Sequence, residues 1–208
     1  MQKPDKNCDL CPRLYAFRER NKGLFPDKFN APVPSFGDQN GQLLIVGLAP
    51  GLKGANFTGR PFTGDYAGDL LYSSLLQYGL AKGEFRADPN DGLTLINCLI
   101  TNAVRCVPPE NKPIGEEINQ CRNFLQEQIN AMPQLKVILS LGLVSHNAVV
   151  KSFGAKQAAH KFAHGAVHQL NDQTCLIDSY HCSRYNTNTG RLTTQMFHDV
   201  FDQIIKIL

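Results

Sequence analysis

The sequence predicts an α/β fold, a mainly parallel sheet covered by helices on both faces. Two observations carry this. Its apolar runs are near-continuous rather than alternating, as strands buried on both sides read. Helical patterns lie between those runs. Leu43-Leu44-Ile45-Val46-Gly47-Leu48 is the first strand, ended by Ala49-Pro50-Gly51. Leu93 to Ile100 is the second, and Val137 to Leu141, ended by Gly142, the third. Val167–Leu170 and Thr174–Ile177 read as a hairpin turning at Asn171-Asp172. Leu70, Leu71, Leu75 and Tyr78 share one helical face, as do Ile118, Cys121, Leu125 and Ile129. Glu116 and Glu117 favour the first turn of that second helix through its dipole. Phe197, Val200, Phe201, Ile204, Ile205 and Leu208 mark a last helix, capped by Thr193 or Thr194.

The 208 residues suffice for one domain with a buried core, and one domain over 1–208 is expected. No apolar run approaches bilayer length, and Met1 to Leu10 is polar without a signal-peptide pattern, so a cytoplasmic protein is expected. Net charge is +3, which permits contact with a polyanion without demanding it. Nothing suggests an oligomer, and a monomer is the default. Seven cysteines, an odd count, speak against a disulfide framework in a reducing compartment and for metal binding or reactivity.

Cys8-Asp9-Leu10-Cys11 is a C-x-x-C with no strand before it, which disfavours a thioredoxin-like redox pair. Cys106, in the loop after the second strand, and Cys121, on the apolar face of the following helix, are candidates for the other half of a metal site. Four thiolates suit zinc or an iron–sulfur cluster, and spacing alone leaves both open. Cys98 and Cys175 sit among apolar strand neighbours and read as core.

In parallel α/β folds, sites form at the carboxyl ends of strands. Three loops therefore matter: 47–65, 102–113 and 179–191. In the first, the glycines allow close backbone approach to a ligand. Phe62 either stacks on a planar base or packs beneath its own loop. Asp65 either caps a helix or serves as a base or cation stabiliser. In the second, Asn102 offers a donor and an acceptor, suited to a nucleobase edge, or simply turns the chain. In the third, His181 suits a general acid or an oxyanion donor, or is an ordinary loop histidine. Arg184, Tyr185 and Arg191 add positive charge and an aromatic, as a DNA-contacting segment would.

Taken in order, these segments resemble the iron–sulfur uracil-DNA glycosylases, most closely the b-type branch, family five. The shared blocks are Gly-Leu-Ala-Pro at 47–50, Thr-Gly-Arg-Pro-Phe-Thr-Gly-Asp at 58–65 and Thr-Asn-Ala-Val-Arg-Cys-Val-Pro-Pro at 101–109. Asn-Lys-Pro at 111–113, the helix with Cys121, and Thr-Gly-Arg-Leu-Thr at 189–193 continue it. The resemblance implies a three-layer α/β/α fold. It implies a structural [4Fe–4S] cluster on Cys8, Cys11, Cys106 and Cys121. It implies hydrolysis of the N-glycosidic bond of uracil, with hypoxanthine and xanthine in a broad range, after base flipping from DNA.

By that resemblance, Asp65 would stabilise the sugar cation or position water, Asn102 read the base edge, Phe62 stack on it, and His181 stabilise the leaving base. Gly47, Leu48, Ala49 and Pro50 would line the pocket. Ser183, Arg184, Tyr185 and Arg191 would contact DNA. No lysine is placed to form a Schiff base, so strand nicking is not expected. Two positions depart from the family pattern. Cys182 stands where Pro is usual after the histidine, and Phe57 where Arg is usual. The rival readings are a non-catalytic nucleic-acid-binding protein with a structural metal, and a hydrolase of free nucleosides.

Overall fold

The structure, a computed structural model, describes residues 4–208, so Met1–Lys3 of the polar start lie outside the described residues. The central sheet has six strands. Its four inner strands are parallel: β2 (Leu43–Gly47), β5 (Cys98–Asn102), β6 (Val137–Leu141) and β8 (Cys175–Ser179). Short antiparallel strands, β1 (Phe36–Gly37) and β7 (Val167–Gln169), close the two edges, giving the order β1-β5-β2-β6-β8-β7. Every residue of the four inner strands is buried, as their unbroken apolar runs require.

Side chains leave a strand alternately to opposite faces. Leu43 and Ile45 of β2 therefore join one core, with Leu71 and Leu75 of α3 (Tyr66–Gln77) and Phe197, Val200 and Phe201 of α7 (Thr194–Ile205). Leu44 and Val46 join the other, with Leu125 and Ile129 of α4 (Gly115–Asn130) and Val149 of α5 (Leu143–Ser152). The result is the expected α/β/α sandwich. Thr193 caps α7, its hydroxyl accepting from the Met196 N–H at 3.1 Å. Among the described residues, no helix is long and apolar enough to cross a membrane.

The expected strand 93–100 is broken at Asn97, whose φ is +55°. The Asn97 carbonyl accepts from the Gln42 and Leu43 N–H groups, turning the chain into the sheet. Before the break, β4 (Thr94–Leu95) pairs instead with β3 (Ala81–Lys82) in a separate ribbon. After it, β5 runs to Asn102, opposite Gly47 in register. Asn102 is thus the last strand residue rather than the first loop residue.

Helix α1 (Pro12–Leu24) carries no apolar stripe and was not expected. Its buried residues, Leu14, Arg18 and Asn21, lie at helical spacing but are mostly polar. With Val104, Cys106 and Cys121, Leu14 forms a third, smaller cluster. The chain passes from β2 to β5 on one side and then back across β2 to β6, which opens a crevice at the strand carboxyl ends.

Candidate active site and cysteine centre

An open cleft of about 440 Å³ lies at that end of the sheet. Leu48, Ala49 and Gly51 line it from the loop after β2, Asp65, Tyr66 and Ala67 from the start of α3, and His181, Ser183 and Arg184 from the segment after β8. Asn111 lines it from the loop between β5 and α4. Pro50 is buried behind this wall.

Gly47 sits at the back. A methyl group there would overlap the Asn102 Oδ1 and the Phe62 ring, so only glycine lets these two side chains meet across the strand end. Asn102 is 4% exposed, and its amide has no protein hydrogen bond among the described residues. A buried amide left without partners is poised for a ligand. Phe62 is buried, and its φ of +55° is a conformation that costs a non-glycine residue roughly 1 kcal/mol or more.

The neighbours of Phe62 enforce that conformation. Arg60 is buried and makes two 2.8 Å bonds to the Asp91 carboxylate. Its Nε donates to Thr63 Oγ1 at 2.8 Å, and the Phe36, Tyr72 and Phe85 rings surround its guanidinium at 5.2–5.5 Å. The Tyr72 hydroxyl donates to the Pro61 carbonyl at 2.7 Å. Gly68, without a side chain, lets α3 press against the Phe62 carbonyl. The bonded Arg60 guanidinium holds the Asp91 carboxyl well below the usual carboxylate range.

Asp65 caps a helix, the first of its two expected uses, and it stands where the second would need it. Its Oδ1 accepts from the Gly68 N–H at 3.2 Å, capping α3, and the residue borders the cleft. Although the side chain keeps an open face to solvent, protein encloses its other sides. Burial raises its pKa, the Gly68 and Ala67 amides oppose this, and Asp69 adds to it.

The His181 ring is roughly parallel to that of Phe62, centroids 6.0 Å apart. Its Nδ1 is buried with no partner among the described residues, and its carbonyl accepts from the Asn186 side chain at 2.8 Å. Burial pushes its pKa down to about 4, so the imidazole is neutral at physiological pH.

The flank is cationic and aromatic. Ser183 caps α6 (Arg184–Asn188). Arg184 lies 5.4 Å over the Tyr66 ring and Arg191 4.7 Å over the Tyr180 ring. Tyr185 is 72% exposed, more than any other large apolar side chain of the described residues. Cys182 is fully buried in the core, so its thiol replaces a proline without facing the cleft. Phe57 packs on Phe25 at 4.9 Å, with the Lys28 ammonium 5.8 Å from its ring.

Four cleft residues, Gly51, Tyr66, Ala67 and Asn111, have no site role in the sequence reading, although Asn111 opens the Asn-Lys-Pro block. Asn111 and its neighbour Glu110 both have left-handed backbones, φ +56° and +54°, which bend the loop toward the cleft.

Cys8, Cys11, Cys106 and Cys121 line one enclosed cavity with Arg18 and Arg105. All seven cysteines are free, and Cys98 and Cys175 are core residues as expected. A tetrahedral zinc site with Zn–S near 2.3 Å needs sulfurs about 3.8 Å apart. Among the described residues no three of these sulfurs lie within 4.8 Å of one another, so they are not set at zinc spacing in this structure. Burial pushes the Cys11 and Cys121 thiols up, to about 11 and about 12.

Among the described residues one group does lie within that 4.8 Å distance: His146, His168 and Asp178. Asp178 Oδ1 already accepts from Ser140 and meets His146 Nδ1 at 2.8 Å, and Oδ2 meets His168 Nε2 at 3.0 Å. His146 Nε2 meets the His160 carbonyl at 2.8 Å. Both nitrogens of His146 face oxygens. Both ring nitrogens are therefore already engaged within the protein. Burial opposes the charge on His146, but Asp178 and the His160 carbonyl outweigh it and raise the pKa.

A doubly covered parallel sheet with a polar cleft at its strand carboxyl ends is the architecture of an α/β enzyme. Residues 34–205 match the family model for the uracil DNA glycosylase superfamily, and the chain belongs to that superfamily. Within it, the chain is 43% identical over 198 residues to the type-5 uracil-DNA glycosylase of Thermus thermophilus, covering 93% of this chain and 90% of the relative. It is 38% identical to the type-5 uracil-DNA glycosylase of Pyrobaculum aerophilum, covering 93% and 86%. The type-4 uracil-DNA glycosylase of the same organism is 35% identical over 152 residues, covering 73% and 63%.

Proposed function

We propose that this chain is a monofunctional uracil-DNA glycosylase of base-excision repair, working as one domain and as a monomer. One observation carries the reading within the superfamily. A carboxylate (Asp65) and a neutral imidazole (His181) line one cleft beside a cationic flank, and an unpaired amide (Asn102) lies at the end of the strand paired with Gly47, next to the Leu48 of its wall.

The reaction replaces the N-glycosidic bond with a bond from C1′ to a water oxygen. The sugar gains positive charge and the base leaves with the electron pair, taking a proton afterwards. A base in a duplex must first be flipped out. Arg184 and Arg191, with the Ser183 hydroxyl, hold the backbone, and Tyr185 wedges the stack. Asn102 reads the base edge, Phe62 supports its face, and Gly47 to Pro50 form the wall. Asp65 stabilises the cation or orients water, and its charge is worth most where burial thins the solvent. His181, uncharged, donates to the departing base without a fixed positive charge to neutralise beforehand. The reaction is proposed to end at base release, without nicking of the strand.

We further infer that Cys8, Cys11, Cys106 and Cys121 hold a [4Fe–4S] cluster. The enclosed cavity that all four cysteines line supports it. When bound, the cluster supplies structure by tying the N-terminal C-x-x-C to the chain that follows Asn102.

Incubation with a uracil-containing oligonucleotide and detection of free uracil tests the activity, with hypoxanthine and xanthine substrates mapping its range. Tight binding without release would favour a non-catalytic binder. Turnover of deoxyuridine alone would favour a nucleoside hydrolase. Iron and sulfide analysis of anaerobically purified protein tests the cluster independently.

A further inference from the structure

Buried cations are held by anions, because an unpaired charge in a protein interior is costly. Arg60 follows this rule with Asp91. Arg18 has no carboxylate in ion-pair range among the described residues, yet it is fully buried on the inner face of α1. Its Nη1 donates to the Cys106 Sγ at 3.2 Å, and its Nη2 to the Cys8 carbonyl at 2.8 Å. The Tyr15 ring lies 5.3 Å from its guanidinium carbon, and its Nε has no partner among the described residues. Arg105 repeats the pattern across the cavity. It is buried, its Nη1 bonds the Ser35 hydroxyl at 2.9 Å, its Nε is unpartnered, and its backbone N–H donates to the Cys121 Sγ at 3.3 Å.

Two buried guanidiniums on one cavity call for negative charge within it, and among the described residues that line it the cysteine sulfurs are the groups suited to supply it. Four thiolates outweigh the positive charge of an iron–sulfur core, so the loaded centre is a net anion. We propose that Arg18 is both the counter-charge and the clasp of the cysteine centre. Its two bonds join the halves of the ligand set, the Cys8 end of the C-x-x-C and Cys106 in the loop after β5. Its charge favours the more reduced, more negative state of the centre. This deepens the iron–sulfur reading and rests on it.

Hydrogen bonds to ligand sulfurs and local charge set cluster potentials, and this gives a readout apart from glycosylase activity. Arg18→Met keeps much of the volume and removes the charge. Arg18→Lys keeps the charge and loses the two-pronged bonding. In anaerobically purified protein, voltammetry should give a lower reduction potential for R18M than for the unsubstituted protein. R18K should stay near the unsubstituted value. Bleaching of the visible absorbance by a chelator should be faster in both variants. Unchanged potential and bleaching in a folded R18M would overturn the inference. Where R18M does not fold or load, R18K decides: faster bleaching supports the clasp, and bleaching at the unsubstituted rate overturns it. Absence of iron from the unsubstituted protein would instead overturn the cluster reading itself.

Discussion

The cysteine centre and the cleft share one stretch of chain, residues 102–121, and are built on opposite terms. At the centre, Cys106 and Cys121 are buried, the cavity is enclosed, and two arginines reach inward. At the cleft, the Asn102 amide and the His181 Nδ1 have no protein partner among the described residues, and Phe62, Glu110 and Asn111 have left-handed backbones. One end holds position and the other keeps bonding capacity in reserve. The loop between them transmits position: the Arg13 Nη2 holds the Lys112 carbonyl at 3.0 Å, and Arg13 pairs with Glu117 at 2.7 Å, one residue beyond Asn111 and four before Cys121. A site that must bind a flipped base needs both, because unpaired groups stay in place only if something else fixes them.

The sharpest way to break this contrast is at Asp65. Asp65→Asn keeps a residue able to cap α3 and removes only the charge. Single-turnover base release should fall roughly a thousandfold while DNA affinity changes little. Cleavage near the normal rate would end the carboxylate's role in the chemistry. Asp65→Ala should add a stability loss of about 1 kcal/mol from the lost cap, visible in thermal melts.

His181→Ala comes next, with release falling roughly a hundredfold. Its pH profile sharpens the assignment. The folded pKa of about 4 lies below the ordinary histidine value, so His181 stays neutral as pH falls toward the acid range. Burial also raises the Asp65 carboxyl, so activity that needs the carboxylate should be lost as pH drops through that raised pKa. H181A should keep that acid limb and D65N should lose it. In stability the sign follows from the depressed value. Folding strength is full above the unfolded histidine pKa of about 6.5 and declines as pH falls toward about 4, and H181A should remove that decline.

Cys121→Ser attacks the other region. It should abolish iron binding and lower the melting temperature, while slowing release less than either cleft variant. A loss of release as deep as that of D65N, in protein that melts normally, would mean the centre takes part in the chemistry rather than bracing it.

The two regions also differ in how far the sequence discloses them. The inner strands and α7 follow from apolar runs and periodicity, because burial on both faces or one stripe leaves a mark in composition. Helix α1 leaves none: its buried face is Leu14, Arg18 and Asn21, and its partners are the cysteine centre rather than a hydrophobic core. Asn97 splits an apolar run through one left-handed residue that no pattern flags. At Phe62 and Asp65 the sequence leaves pairs of readings open; the geometry shows the structural member of each pair and leaves room for the functional one. Phe62 packs within its loop and still meets Gly47, and Asp65 caps a helix and still borders the cleft. Asn111 was missed because its place depends on a bend shared with Glu110, not on its neighbours' chemistry.

The smallest expected effect lies on the flank. Tyr185 is held by no packing, so its removal should leave the melting temperature unchanged, unlike C121S. Its use is in the complex. An aromatic that replaces a lost stacking partner contributes about 1–3 kcal/mol, so Tyr185→Ala should weaken binding to uracil-containing duplex by roughly tenfold or less. The loss should shrink on single-stranded DNA, where no stack has to be opened. Arg191→Ala should act equally on both substrates and lower the salt dependence of binding by about one phosphate contact. If Tyr185→Ala instead weakened both substrates alike, it would be one more backbone contact, and the wedge would have to be sought among the residues that line the cleft, with Tyr66 first.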